Sequence, residues 1–197
     1  DGVPVPGISR AVIWDARTGQ MTAELTGAGG GMAWSTAGGQ QVGYEFISDG
    51  TTACLWFGSR QSMISLHPQG MDTSAAIGTD GLHQVGNVGL WVRLRDEVHH
   101  GVRHLMNYAA IWSGSAESWN YLPFDAPGFA YSNSFAVAIK GNYACGTGIG
   151  KNSAGSTQLT HAVVWSLASQ SFMDLHQSLP TGYASSRALS VDAAGNV

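Results

Sequence analysis

RAVIWDARTGQM (10–21), TACLWFGSRQSM (52–63), YAAIWSGSAESW (108–119) and HAVVWSLASQSF (161–172) are one motif written four times. In each copy an Ala stands three residues before a Trp: Ala11/Trp14, Ala53/Trp56, Ala109/Trp112 and Ala162/Trp165. A large apolar residue follows seven after the Trp (Met21, Met63, Trp119, Phe172), and a Leu ten or eleven after it (Leu25, Leu66, Leu122, Leu175). Self-similarity on this scale is the signature of a repeat architecture.

A second element alternates with the first: GGQQVGY (38–44), DGLHQVGNVG (80–89), KGNYACGTG (140–148) and a shorter DAAGNV (192–197). Each is a Gly-containing turn leading into a short strand, and each follows another short apolar stretch: GMAWST (31–36), SAAIG (74–78), SFAVAI (134–139) and RALSV (187–191). The cycle is therefore four strands long. Twenty-seven glycines interrupt almost every window long enough for three helical turns, so the helical alternative fails. Within AVIW, ACLW, AAIW and AVVW the residues are apolar on both sides of the strand, whereas a sheet with one wet face would alternate. Both faces must be covered.

Four-stranded sheets stacked radially cover both faces, each packing between the one before and the one after, which is the β-propeller arrangement. Trp-to-Trp spacings of 42, 56 and 53 residues suit a four-stranded blade with loop insertions. The expected fold is an all-β propeller occupying 1–197 as one domain. Its units fall at about 1–30, 31–72, 73–131 and 132–186, with 187–197 completing the first blade. Pairing of RALSV and GNV with the first two motif strands would give four blades closed by both termini and no open edge. The alternative is a fragment of a longer array.

Composition narrows the function classes. The chain is 44% apolar, enough for a core, and only 11% charged against an average near 25%. A polar surface built from Gly, Ser, Thr, Asn and Gln favours a secreted or cell-surface protein. A net charge of −4 with nine Lys and Arg leaves no basic face for a run of phosphates, so nucleic acid is not an expected partner. No apolar run approaches the roughly 20 residues that cross a bilayer, and DGVPVPG lacks the features of a signal peptide. Cys54 and Cys145 stand where other copies have small apolar residues, and two separate buried thiols are expected rather than a disulfide.

The units at 161–197 and 52–86 resemble the HAF repeats of bacterial extracellular proteins. In those repeats an H-A-x-x-W strand is followed by D-L or D-L-H-P, then S-x-A and a G-x-x-V-G turn. The fourth unit matches with His161, Ala162, Trp165, Asp174, Leu175 and His176, whereas Arg10, Thr52 and Tyr108 stand where His is typical. That family is defined by its repeat and not by a reaction. The resemblance implies a secreted or surface-displayed β-propeller and carries over no catalytic residue.

The third unit holds an insertion, GLWVRLRDEVHHGVRHLMN (89–107): 23 residues separate Gly86 from Ala109, against 10 between Gly43 and Ala53 and 16 between Gly146 and Ala162. Trp91, Arg93, Arg95, Asp96, Glu97, His99, His100, Arg103 and His104 gather there, in a chain otherwise poor in charge. They are the candidate ligand-binding residues, on a long hairpin read as a solvated arm or partner contact. His99, His100 and His104 with a nearby carboxylate are also candidates to ligate zinc or a similar ion. His67, His176, His161 and His83 are read as structural, since equivalent positions in different units do not make one catalytic site. Trp14, Trp56, Trp112 and Trp165 are read as core. No G-x-S-x-G elbow, P-loop, dinucleotide fingerprint or H-E-x-x-H occurs.

No catalytic residue and no cofactor is expected. The expected function is a non-enzymatic binding module for a glycan or protein partner, without membrane insertion. The alternatives are a structural repeat domain of a larger surface protein, or a metal-assisted hydrolase or lyase using the insertion.

Overall fold

The computed structural model describes residues 8–93, 103–124, 129–152 and 158–197. Its strands are β1 (Val12–Asp15), β2 (Gln20–Glu24), β3 (Gly31–Ala37), β4 (Gln40–Ile47), β5 (Gly50–Trp56), β6 (Ile64–Ser65), β7 (Thr73–Thr79), β8 (Gln84–Arg93), β9 (Arg103–Trp112), β10 (Asn120–Tyr121), β11 (Phe129–Lys140), β12 (Tyr143–Asn152), β13 (Gln158–Ser166) and β14 (Ser171–Asp174). Three single turns of 3-10 helix accompany them, and no α-helix is present among the described residues. The protein is all-β. β3–β6, β7–β10 and β11–β14 each form a four-stranded antiparallel meander, and β1 pairs with β2 alone.

The motif strand explains the stacking of the sheets. In β5, Ala53 and Leu55 turn towards the following sheet, and Cys54 and Trp56 towards the preceding one, so all four are buried. Ala11 and Leu25 thus share a core with Cys54 and Trp56. Val42, Leu55 and Leu66 share one with Ala76, Val88 and Trp112. Val85 and Ala109 share one with Ala136, Val163 and Trp165. The double-sided apolar pattern is the consequence of being sandwiched.

Trp14 departs from the expected core role. It faces away from the second sheet, pairs with Met21 across β1 and β2, and is 60% exposed, because among the described residues no sheet lies against that side. The fourth-strand leucines Leu25, Leu66 and Leu122 are buried and Leu175 is half-buried.

The segment 187–197 also departs from expectation, for it contains no strand and does not pair with β1 or β2. Its backbone is captured elsewhere: Ser186 N–H donates to the Thr160 carbonyl (2.8 Å) and Ala188 N–H to the Gly146 carbonyl (3.3 Å). Ala188 and Val191 share a core with Cys145 and Ala162, capping the outer face of the last sheet. A turn follows, anchored by Asp192, whose carboxylate accepts from the Ala194 and Asn196 backbone N–H groups and from the Asn196 side chain.

One hydroxyl links each unit to the next. The Ala53, Ala109 and Ala162 N–H groups donate to Ser74, Ser134 and Ser186 Oγ at 2.9, 2.8 and 2.9 Å. At the first junction the equivalent of these serines is Gly31, and Thr26 Oγ1 accepts the Ala11 N–H instead (3.2 Å). His67 completes the second junction. Its Nε2 donates to the Met71 carbonyl (3.1 Å), which leaves Nδ1 to accept the Ser74 hydroxyl (2.8 Å). His176 stands on Ser186 in the same way at 2.9 Å.

Ser134→Ala would strand the buried Ala109 N–H. The expected loss is about 1–3 kcal/mol of unfolding free energy, measured by denaturant titration against Ser134→Thr, which retains the acceptor.

Cys54 and Cys145 are separate, buried thiols. Burial pushes the Cys54 thiol up to about 12, with the Glu45 charge adding to the effect, and burial pushes Cys145 up to about 11. The reactive species is the thiolate. At pH 8 the native protein should take up no iodoacetamide over a period in which the urea-unfolded chain is alkylated at both positions, as counted by intact mass.

Candidate functional site

The first strand of each four-stranded sheet carries a bulge at the same place. Pairing skips Trp34 between Ala33 and Ser35, Ile77 between Ala76 and Gly78, and Val137 between Ala136 and Ala138. A bulge re-aims the extra side chain. Trp34, Ile77 and Val137 line a single cavity of about 320 Å³, and the fourth contributor is Leu189, which follows Ala188 as they follow Ala33, Ala76 and Ala136. Ser35, Thr79 and Ser190 supply hydroxyl groups to the same wall.

Beneath the wall the polar groups are fixed. Thr79 Oγ1 donates to Gln40 Oε1 (3.0 Å), the same oxygen accepts from Gln84 Nε2 (2.9 Å), and Gln84 Oε1 accepts the Gly114 N–H (2.9 Å). Gln84 is completely buried, so this network holds the first two Gly turns rigidly together. At the adjoining turn, burial raises the Asp80 carboxyl. The N–H groups of His83 and Leu82 outweigh that and hold it below the usual carboxylate range. Trp34 is half exposed and Leu189 largely so. The cavity therefore offers an aromatic face, apolar walls and hydroxyls of fixed position.

Two clefts at the sheet edges repeat one another. Ile111, Asn120, Tyr121, Leu122 and Pro123 face Trp165, Ser166, Leu167 and Gln170 across about 520 Å³. Arg10 and the end of β2 face Gly58–Gln61 across about 510 Å³. The first is aromatic: Tyr121 packs edge-on against Trp119 and Tyr108, and burial with the neighbouring Tyr108 raises its hydroxyl above the ordinary value. The second is ionic, with Arg10 and Glu24 paired at 2.5 Å. The two clefts lie between neighbouring sheets, whereas the cavity draws residues from three sheets and from the segment around Leu189.

Of the candidates on the insertion, Trp91, Arg93, Arg103 and His104 are described, whereas Arg95, Asp96, Glu97, His99 and His100 lie outside the described residues. β8 and β9 extend as a hairpin, with Arg93 opposite Arg103, Val92 opposite His104 and Trp91 opposite Leu105. The Arg103 guanidinium lies 5.5 Å above the Trp91 ring, a cation–π pair at an exposed site. Asp72 fastens the base of the hairpin by accepting the Trp91 N–H (2.7 Å). Among the described residues no three His, Cys, Asp or Glu side chains gather as metal ligands.

His161 Nδ1 donates to Asp174 Oδ2 (2.8 Å) and its ring stacks on His176 at 4.1 Å. Ser186, His176, His161 and Asp174 thus form a chain, buried at its His161–Asp174 end and half-buried at its Ser186–His176 end, of the residue types used in acyl transfer. Ser186 Oγ, however, already accepts the Ala162 N–H, and the Ser–His pair recurs at Ser74 and His67. Both copies hold junctions between units.

No motif in the sequence joins Trp34, Ile77, Val137 and Leu189 as a set. The available signal was that each lies one residue after the small alanine of a first strand. Compared with protein-family models, curated proteins and solved structures, the chain matches none.

Proposed function

We propose that this chain is a four-bladed β-propeller, secreted or displayed on a bacterial surface, that serves without catalysis of its own as a binding module for a glycan. The observation that carries this reading is the convergence of Trp34, Ile77, Val137 and Leu189, four equivalent residues, on one cavity. Three bulged first strands and the strandless segment that carries Leu189, converging on one space, are what would stand at the axis of a four-bladed ring. The HAF-like spacing of the repeats and the low charge support an extracellular setting.

A pyranose ring presents apolar C–H faces and hydroxyl edges. The half-exposed Trp34 ring suits the former, and Ser35, Thr79 and Ser190 suit the latter. The second place for a ligand is the hairpin around Trp91, Arg93 and Arg103, where the cation–π pair leaves one aromatic face and two guanidinium groups near solvent.

A glycan array probed with the purified chain, with Trp34→Ala and with Trp91→Ala tests the reading. Loss of signal by roughly tenfold or more in Trp34→Ala alone, equivalent to about 1.4 kcal/mol, places the ligand in the cavity. Loss in Trp91→Ala alone moves it to the hairpin. An array with no signal removes the glycan and leaves a protein partner, to be sought by crosslinking.

A second reading, a structural domain within a larger surface protein, is favoured by the exposed Trp14–Met21 pair, an apolar sheet face of the kind that neighbouring units cover within this chain.

A further inference from the structure

The turn between β13 and β14 holds a residue that its backbone does not favour. Asp15 pairs with Gln20 and Ser166 with Ser171, so 16–19 and 167–170 are the same turn in the first and last motif copies. Its last position is left-handed in both, with φ of 69° at Gly19 and 49° at Gln170. Gln170 is the one non-glycine residue with positive φ among the described residues. A Cβ in that conformation crowds the backbone, whereas glycine adopts it freely. No contact within the fold offsets this strain: the Gln170 side chain is exposed, and its carboxamide has no hydrogen-bond partner among the described residues. Strained residues of this kind concentrate where ligands bind.

Gln170 lines the cleft of about 520 Å³ between the last two sheets, facing Asn120 and Tyr121 of β10. Both walls are fixed. The Asn142 carbonyl accepts the Leu167 N–H (2.9 Å) and Asn142 Oδ1 accepts the Ala168 N–H (2.6 Å), which clamps the turn. Opposite, the Tyr121 ring stands edge-on to Trp119 with centroids 4.7 Å apart. The Trp165 indole N–H donates to the Pro123 carbonyl and ties one wall to the other.

The lining selects the chemistry of a ligand. None of its side chains is charged, so an ionic ligand would leave water without a counter-charge. The Asn120 carboxamide, like that of Gln170, is exposed and has no partner among the described residues. A wholly apolar ligand would cover both carboxamides and leave them unpaired. Each carboxamide donates and accepts, as neighbouring sugar hydroxyls do, and the exposed Tyr121 ring matches the C–H face of a pyranose. The volume lies within the roughly 300–1,000 Å³ of small-ligand sites.

We propose that the cleft between β10 and the β13–β14 turn binds a neutral saccharide, with Tyr121 against a sugar face and the Asn120 and Gln170 carboxamides on its hydroxyl edge. The site is separate from the cavity at Trp34 and does not rest on a ligand there.

The test titrates the full 197-residue chain with neutral oligosaccharides of glucose, galactose, mannose or xylose, and with oligogalacturonate. Side-chain amide and indole signals are followed by proton–nitrogen correlation NMR, so that the Trp34 indole reports the other cavity separately. Saturable shifts of the Asn120 and Gln170 carboxamides with one or more neutral oligosaccharides are expected, with weaker shifts or none for oligogalacturonate. Gln170→Gly should weaken this binding roughly tenfold or more and raise the thermal midpoint by about 2 °C, since glycine relieves the turn. A fold that gains stability while losing affinity separates a ligand contact from a structural role. Unchanged affinity in Gln170→Gly, shifts confined to the Trp34 indole, equal or tighter binding of oligogalacturonate, or no saturable shift with any neutral oligosaccharide would overturn the proposal.

Discussion

Trp112→Ala should lower the unfolding free energy by about 3–5 kcal/mol, whereas Trp14→Ala should change it by less than about 0.5 kcal/mol. The two residues hold the same place in the same motif and have the same neighbours in sequence spacing. Trp112 is completely buried between the sheet β7–β10 and the preceding sheet, where it shares a core with Val42, Leu55 and Leu66. Removing its indole leaves a cavity lined by residues held on two separate ladders, which cannot collapse to fill it. Trp14 is 60% exposed, with no sheet against its outer side among the described residues. Urea titrations of both variants measure the difference directly. Equal effects would mean that a further sheet covers Trp14 in solution.

Gly86→Ala should be comparably severe. The bulge around Ile77 drives the Ala75 carbonyl over Gly86, and the added methyl would overlap that oxygen and the Ala76 backbone, neither of which can rotate away. Ordinary overpacking costs about 1–3 kcal/mol. A collision with backbone inside a four-stranded sheet should exceed this range, because relief requires parting β7 from β8 and so breaking ladder bonds. Gly70→Ala is the matched control, since a methyl there meets nothing within 4 Å, although its positive φ of 87° is unfavourable for any L side chain. A thermal midpoint lower for Gly86→Ala than for Gly70→Ala is expected. The reverse order would mean that the bulge shifts to accommodate the methyl.

Much of the architecture is legible in the chain. The AxxW period locates all four motif strands, and the Val-Gly or Cys-Gly pairs mark β4, β8 and β12. Both signals are local, because a strand buried on two faces must be apolar on two faces and a bulge above a glycine excludes every other residue. The histidine assignments at His67 and His176 follow equally from repetition, although their chief partners are Ser74 and Ser186 hydroxyls rather than carbonyl groups alone.

The candidate site was far less legible. Trp34, Ile77, Val137 and Leu189 are separated by 43, 60 and 52 residues and differ in chemistry, so nothing in their own sequence joins them. The unusual charge of the insertion drew attention to 89–107 instead, since composition is visible along a chain and convergence is not.

By itself the sequence determined the all-β class, the four-strand cycle, the glycine positions and the two-sided apolar pattern of the motif strands, because these depend on the chirality, size and polarity of residues close along the chain. Only the tertiary structure decided which motif copy is left uncovered, which hydroxyl replaces the missing serine at Gly31, and which four side chains share a cavity. Those outcomes depend on what stands beside each sheet in space, and identical motifs acquire different environments according to whether a neighbour is present.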